Sequence, residues 1–202
     1  MSPRNADRDR LLREERREQL REAALEVIAR RGLSAAKVAD IASSAGVSVG
    51  YVYKYFESKE QLFMELVEEG QLRYREFVAE VRARSGSALE RMRWYTQQWL
   101  GKKEWAITIL LQYARTSEAV PEHFKLEVSR RFLDNLKPLA DIIKDGQSEG
   151  TFVAGDALEL ALLYVSLMEG LTLHNLPGVQ EINAGTPDKA LGLLLLREHD
   201  PS

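Results

Sequence analysis

The sequence predicts an all-α protein, a small amino-terminal three-helix domain followed by a larger helical one. Three observations carry this reading. Apolar residues recur at three- and four-residue intervals through most of the 202 residues, no stretch alternates at the period of a half-buried strand, and Gly, Pro and Ser interrupt the pattern at helix-length distances. Hydrophobic residues at 45% and charged residues at 29% describe an ordinary globular chain, long enough to bury a sizeable core in one or two domains. No internal repeat or low-complexity segment is present.

The chain opens with Arg4, Arg8, Arg10, Arg13, Arg16 and Arg17 among several acids. Residues 1–12 are expected to form a flexible arm, solvated to about residue 8, with the first helix starting at about Asp9 or later and running to Arg31. Such an arm can also enter a minor groove. The helix should bury Leu20, Ala24, Val27, Ile28 and the stem of Arg31, and Gly32 should end it.

Residues 13–60 are expected to form the first domain. Val38, Ile41, Ala42 and Ala45 make one apolar stripe on a short helix whose other face carries Lys37, Asp40, Ser43 and Ser44. Gly46 follows, and only Gly takes the left-handed conformation at a helix end without steric cost, so the chain can reverse there. Ser48 then stands where the next helix needs a cap. Val52 and Phe56, joined by Val47 from the turn, can lock that helix onto the first. Its outward face carries Val49, Gly50, Tyr51, Tyr53, Lys54 and Tyr55. Small residues allow close approach, and phenol and ammonium groups donate to phosphate oxygens, so this face suits a nucleic-acid groove. Ser58 can cap a third helix beginning beside Lys59.

These residues resemble a known signature. The run AGVSVGYVYKYFESKEQL, preceded by REAALEVIARRGLSAAKVADIA, is similar to the DNA-binding segment of the tetracycline-repressor (TetR) family of bacterial regulators, over roughly residues 16 to 66. The resemblance implies that Lys37, Ser48, Tyr53, Tyr55 and Lys59 hold phosphates of a double-stranded DNA operator, while Val49, Gly50, Tyr51 and Lys54 lie toward base edges. Two positions depart from the family pattern. Ala36 stands where a phosphate-binding threonine is common, which should weaken backbone anchoring slightly. Val49 replaces a frequent lysine, which points to an apolar contact such as a thymine methyl.

Residues 61–202 are expected to form an effector-binding and dimerisation domain. A long helix from Gln61 to Arg84 is broken at Ser85-Gly86-Ser87, and further helices are expected at 88–101, 103–115, 121–145, 156–174 and 187–199. Pro121 fits a first turn, whereas Pro138 should kink or split its helix. A turn is expected at residues 146–150, followed by a capping box between Asp156 and Glu159. Ala157 to Leu173 is apolar around most of its circumference, and Leu191 to Leu196 poses the same problem. Pairing of two subunits would cover both, with Leu158, Leu162, Val165, Leu191, Leu194 and Leu195 at the interface of a homodimer. The alternative is a monomer with a deep core.

Three tryptophans within a dozen residues, with other aromatic and polar groups nearby, suggest a cavity as well as packing. The resemblance implies a small-molecule effector there, and Trp94, Tyr95, Gln98, Trp105, Gln112, Tyr113, Phe132 and Met168 are the candidate lining. Trp99, Phe124, Asn135, His123 and His174 belong to the same region.

Charge is segregated. Residues 1–60 hold 12 Lys and Arg against 10 Asp and Glu, a balance of +2, while the formal net charge of −3 leaves −5 for the remainder. A basic amino-terminal part with an acidic remainder suits local docking on DNA without general adhesion to nucleic acid. Absence of cysteine excludes disulfides and thiolate chemistry. His123, His174 and His199 lack metal-ligand spacing, and no Gly-rich phosphate loop or nucleophile elbow occurs, so neither catalysis, cofactor nor metal is expected. The opening MSPRNADRDR has no apolar signal core and the longest apolar stretch carries Glu159 and Glu169, so a cytoplasmic protein without a membrane span is expected. Two other readings fit the motif less economically. One is a helical ligand-binding protein or enzyme that keeps a helix-turn-helix as scaffold; the other is a module that grips a protein through Tyr51, Tyr53 and Tyr55.

Overall fold

The computed structural model describes residues 3–102, 104–173 and 185–196. Among them the fold is all-α, as expected, with α1 Pro3–Ala35, α2 Val38–Ser44, α3 Val49–Val52, α4 Lys59–Ala83, α5 Ala88–Gly101, α6 Trp105–Thr116, α7 Glu122–Ser148, α8 Ala157–Leu173 and α9 Thr186–Leu191. His174, His199, Lys103 and the last expected residues of the 187–199 helix lie outside the described residues.

The backbone is helical from Pro3, ahead of the start expected near Asp9 and inside the expected flexible arm. No Gly or Pro occurs from Arg4 to Arg31, and Arg and Glu alternate at helical spacing, so local propensity alone carries the helix outward. Gly32, at φ 75° and ψ 157°, interrupts it where the sequence places a stop. Leu20, Ala24 and Ile28 are buried and Val27 half-buried, but Arg31 is exposed and Leu33 takes the expected inner place. The Arg31 guanidinium instead reaches Asp40 at 3.1 Å, because the kink turns it toward the start of α2.

Two apolar cores share the long helices. The first joins α1, α2, α3 and the start of α4 (Leu62, Phe63, Leu66, Val67) to Ile107, Leu110 and Ala114 of α6 and to Phe124 and Val128 of α7. The second joins the end of α4 (Val78, Val81) to α5, the carboxyl half of α7, α8 and α9. A fully buried Leu, Val or Phe contributes about 1.5–3 kcal/mol, so α4 is anchored firmly at both ends. It therefore acts as a strut from one core to the other.

Several local expectations change. Helix α7 runs through Pro138 without splitting, since Leu136 and Leu139 on either side are fully buried and hold the backbone in line. The following turn falls at Gly150, not Gly146, which stays helical under the ring of Phe152. Helix α9 stops at Leu191, short of the expected 199. Beyond it the Val153 amide donates to the Leu194 carbonyl at 2.9 Å, the Leu196 amide donates to the Thr151 carbonyl at 3.0 Å, and Leu195 pairs with Phe152 as an antiparallel bridge. A short continuous apolar run fits a buried extended segment as well as it fits a helix, and here Thr151-Phe152-Val153 offers it a partner.

Candidate nucleic-acid interface and effector cavity

The reversal between α2 and α3 is built as the residues require. Ile41, Ala42 and Ala45 are buried, Gly46 sits at φ 67°, and the Ser48 hydroxyl accepts from the Tyr51 amide at 3.3 Å to cap α3. Val52 and Phe56 are buried beneath, so the remaining residues of the turn must face outward. Helix α1 braces this unit from behind. Gln19 donates to the Ala45 carbonyl at 3.2 Å, and Arg17 pairs with Glu65 at 2.5 Å while lying 4.6 Å over the Phe56 ring. Arg17 therefore faces inward.

Outside, Val49 and Tyr53 are 40% and 54% exposed, and Gly50, Lys54 and Lys37 are also exposed. Tyr51 and Tyr55 are half-buried, their hydroxyls 3.2 Å apart, with Lys54 Nζ 5.6 Å from the centre of the Tyr51 ring. The hydrogen bond to Tyr51, with some desolvation, raises the Tyr55 hydroxyl above its ordinary pKa, so it remains a neutral donor. An open groove runs beside this face, lined by Lys37, Val38, Val49, Tyr53, Ser58 and Lys59 among others. The groove brings Lys37, Val49, Tyr53 and Lys59 together. Tyr51 and Tyr55 stand apart from it as a pair.

Lys59 has a different part from the one its position suggests. Its Nζ donates to the carbonyls of Leu33 at 2.7 Å, Ala36 at 2.9 Å and Ser34 at 3.3 Å. An ammonium has three protons, so these acceptors use them all. The residue ties the start of α4 to the orphan carbonyls where α1 ends. The Ser48 hydroxyl, by contrast, only accepts as a cap and keeps its own proton to donate.

A cavity of about 130 Å³ lies between the two cores, against Gly70, Gln71, Tyr74 and Phe77 of α4. Trp99 closes it from α5, Ile107, Thr108, Leu111 and Arg115 from α6, Phe132 and Asn135 from α7, and Val165, Glu169 and Thr172 from α8. Of the eight expected lining residues, only Phe132 is present. Tyr95 and Met168 are packed in the second core, and Gln98 is half-buried off the cavity. Trp94 lies under the Arg84 guanidinium at 4.2 Å, Trp105 under that of Arg30 at 4.9 Å, and Tyr113 packs edge-on to Phe63 at 6.0 Å. Gln112 acts one step back, donating to Glu169 at 3.3 Å. Trp99 and Asn135, from the same region, do reach the cavity. Gln71, Tyr74 and Phe77 were missed because they sit in a long helix with no aromatic cluster to mark them; Gly70 in mid-helix was the only local sign.

Residues 20–66 match the family model described as bacterial regulatory proteins of the tetR family. That amino-terminal segment is of the tetR type. Over 60 residues, 30% of the chain, it is 48% identical to the HTH-type transcriptional regulator LuxR of Vibrio harveyi. Over 54 residues, 27% of the chain, it is 44% identical to the HTH-type transcriptional repressor KstR2 of Mycolicibacterium smegmatis. These stretches span only 29% and 26% of the two relatives' own lengths. The architecture extends further. The solved ketosteroid transcriptional regulator KstR2 of Mycobacterium tuberculosis superimposes with a TM-score of 0.75 at 23% identity, over 90% of this chain and 96% of that one, which establishes a shared fold.

The residues expected at a subunit interface divide. Leu158 and Leu162 are each 39% exposed on the outer side of α8, joined by Leu163 at 60%. Val165, Leu191 and Leu194 are buried in the chain's own second core, and Leu195 is half-buried in the bridge to Phe152, so they are not free to meet a partner. Helix periodicity sets Val165 opposite Leu163 but near Leu158, two turns earlier, so its burial reflects what packs on the later part of α8. Ala36 is fully buried with its carbonyl engaged by Lys59, and Val49 stands exposed at the groove.

Proposed function

We propose that this TetR-family chain is a homodimeric, cytoplasmic, non-catalytic transcription regulator, a repressor that binds a pseudo-palindromic DNA operator and is released from it by a small molecule entering the cavity. The observation that carries the reading is the outward set Val49, Tyr53 and Lys54 on a capped α3, held from below by buried Val52 and Phe56. Val49, Gly50, Tyr51 and Lys54 face base edges, and Lys37, Tyr53, Tyr55 and the amide of Ser48 face phosphates. The description of the Mycolicibacterium relative as a repressor supports the direction of control.

The release mechanism follows from α4. It starts at the DNA-side groove with Lys59 and passes the cavity at Gly70–Phe77, while α6 joins the cavity at Ile107 to α1 through Trp105 and Tyr113. A ligand that fits better when α4 and α6 part favours a form whose paired recognition helices no longer match successive major grooves; a ligand that fits both forms equally changes nothing. One short recognition helix reads few base pairs, so the dimer doubles the contacts.

The test is a fluorescence-anisotropy titration of the full chain on a duplex selected from a random pool, against its scrambled counterpart. A dissociation constant of about 10⁻⁸ to 10⁻¹¹ M for the selected duplex, at least roughly a thousandfold tighter than for the scrambled one, is expected at physiological salt. Equal affinity for all duplexes would overturn the reading.

A further inference from the structure

Gln71 is a buried amide with half of its hydrogen-bonding capacity unused. Its Nε2 donates to the Val128 carbonyl at 2.7 Å, which fixes the amide's orientation, because the flipped form would set oxygen against oxygen. Oε1 then has no hydrogen-bond partner among the described residues, on a side chain only 6% exposed that lines the cavity. A buried acceptor left unmade is costly, and a donor arriving on a ligand removes the cost.

Several other polar groups of the cavity are already matched. Asn135 donates to the Gln71 carbonyl at 3.1 Å, Trp99 donates to Thr172 at 2.8 Å, and Thr172 donates to Met168 at 2.8 Å. Glu169 is shared between Arg115 at 3.5 Å and Gln112 at 3.3 Å, so this buried charge is balanced. Two aromatic faces are also taken, with Arg115 4.1 Å over Phe132 and Lys102 5.1 Å over Phe77, so an organic cation would meet like charge there. Tyr74, Phe77, Ile107, Leu111, Phe132 and Val165 make most of the remaining wall apolar. A volume of about 130 Å³ compares with cavities of about 150 Å³ that take up benzene.

We propose that the ligand selected here is a neutral, mostly apolar molecule about the size of a single ring, bearing one hydroxyl or N–H that donates to Oε1 of Gln71. This rests on the effector reading of the cavity and adds the ligand's chemical class to it. At Gln71 itself a carboxylate would be repelled by the acceptor, so an acid would have to turn its charge to Lys102 or Arg115 and leave Oε1 unmatched, while amines would be repelled by those two cations.

The experiment is calorimetric titration of the full chain, free of DNA, with phenol, toluene, benzoate and benzylammonium. Phenol should bind most tightly of the four, and Gln71→Leu should cut the ratio of phenol to toluene affinity about tenfold while toluene still binds. Competition between phenol and anisole on the unmodified chain is a second measurement that needs no variant, because anisole keeps the ring and oxygen but has no donor; phenol should win. Tightest binding of benzoate or benzylammonium, a phenol preference that survives Gln71→Leu, anisole matching phenol, or no binding of any of the four would overturn the assignment. Failure here leaves the operator titration unaffected, so the ligand class and the DNA reading fail separately.

Discussion

Lys59 donates to the carbonyl of Leu33 at 2.7 Å, and this one contact joins the helix that reaches the cavity to the helix that braces the recognition unit. Two more carbonyls, of Ser34 and Ala36, share the same ammonium. The residue stands at the position where a family pattern implies a phosphate contact, yet its protons are spent inside the protein. Lys59→Met should therefore lower stability by about 1–3 kcal/mol, a fall in melting temperature of roughly 2–12 °C for a chain of this size. The salt dependence of DNA binding separates the two roles. Lys37→Ala should reduce the slope of log affinity against log salt by about one, whereas Lys59→Met should leave that slope unchanged while weakening binding through the scaffold.

Tyr53 and Val49 lie side by side on the groove but should respond differently. Tyr53 is more than half exposed, so Tyr53→Ala should change stability by less than about 0.5 kcal/mol. Its loss should weaken binding to all duplexes alike. Val49→Lys should instead change which sequence is preferred, with discrimination at one base pair shifting by about 1–3 kcal/mol. Parallel anisotropy titrations on a panel of single-base operator variants check both, and a Tyr53 effect confined to one sequence would contradict the assignment.

The amino-terminal domain was legible because its information is local. Val38, Ile41, Ala42 and Ala45 repeat with the helical period, Gly46 must take a positive φ, and Ser48 and Ser58 sit one residue before their helices; each relation spans fewer than ten residues. Lys59 shows where locality ends. Its acceptors lie 23 to 26 residues away and are backbone atoms, which carry no mark in a sequence. The cavity was misread for the same reason. Trp94, Trp105 and Tyr113 stand out by type, but helix packing turns them toward Arg84, Arg30 and Phe63, while the plain residue Gln71 faces the space. Leu194 to Leu196 looked helical because nothing local announces an extended partner more than forty residues earlier.

Gly70 sets how closely α4 approaches α6 beside the cavity. A Cβ placed there would stand 2.6 Å from Cδ1 and 2.8 Å from Cγ1 of Ile107, itself buried in the first core. Gly70→Val must displace the Ile107 side chain or push the two helices apart. Overpacking of this kind costs about 1–3 kcal/mol, and the β-branched residue recovers little helix propensity to offset it. Chemical denaturation should report the loss. If parting of α4 from α6 is what releases the operator, the same variant should bind the selected duplex more weakly without any ligand, and unchanged affinity would exclude that route.

Alkaline stability follows from three phenols, Tyr95 and Tyr164 buried and Tyr74 half-buried. Burial pushes the Tyr164 hydroxyl up to about 12, although its hydrogen bond with Thr96 at 2.5 Å opposes the shift; burial also raises Tyr74 and Tyr95 above the ordinary value of 10.0. Each group keeps its proton more tightly in the folded chain than in the unfolded one. Below pH 10 both states are protonated and the contribution is complete. Above it the unfolded chain ionises first, so stability falls by roughly 1.4 kcal/mol per pH unit for each such group, a loss that for Tyr164 ends near pH 12. Urea unfolding at pH 9 and pH 11 should show the drop, and Tyr164→Phe should reduce its slope by one proton.

The proposed homodimer places the outer side of α8 at the subunit contact. Leu158, Leu162 and Leu163 are exposed, whereas Val165, two turns on from Leu158, is 1% exposed and lines the cavity. A charge at each place has a distinct consequence. Leu162→Glu and Leu163→Glu introduce carboxylates where water already reaches, so the monomer should keep its fold, while burying them against a partner would cost several kcal/mol. Sedimentation should then show the mass halved, and operator affinity should collapse because a single recognition helix reads only one half-site. Val165→Glu sets an unpaired charge in the second core and should unfold the chain outright. If Leu162→Glu and Leu163→Glu leave both the mass and the operator affinity unchanged, the subunits do not meet through α8.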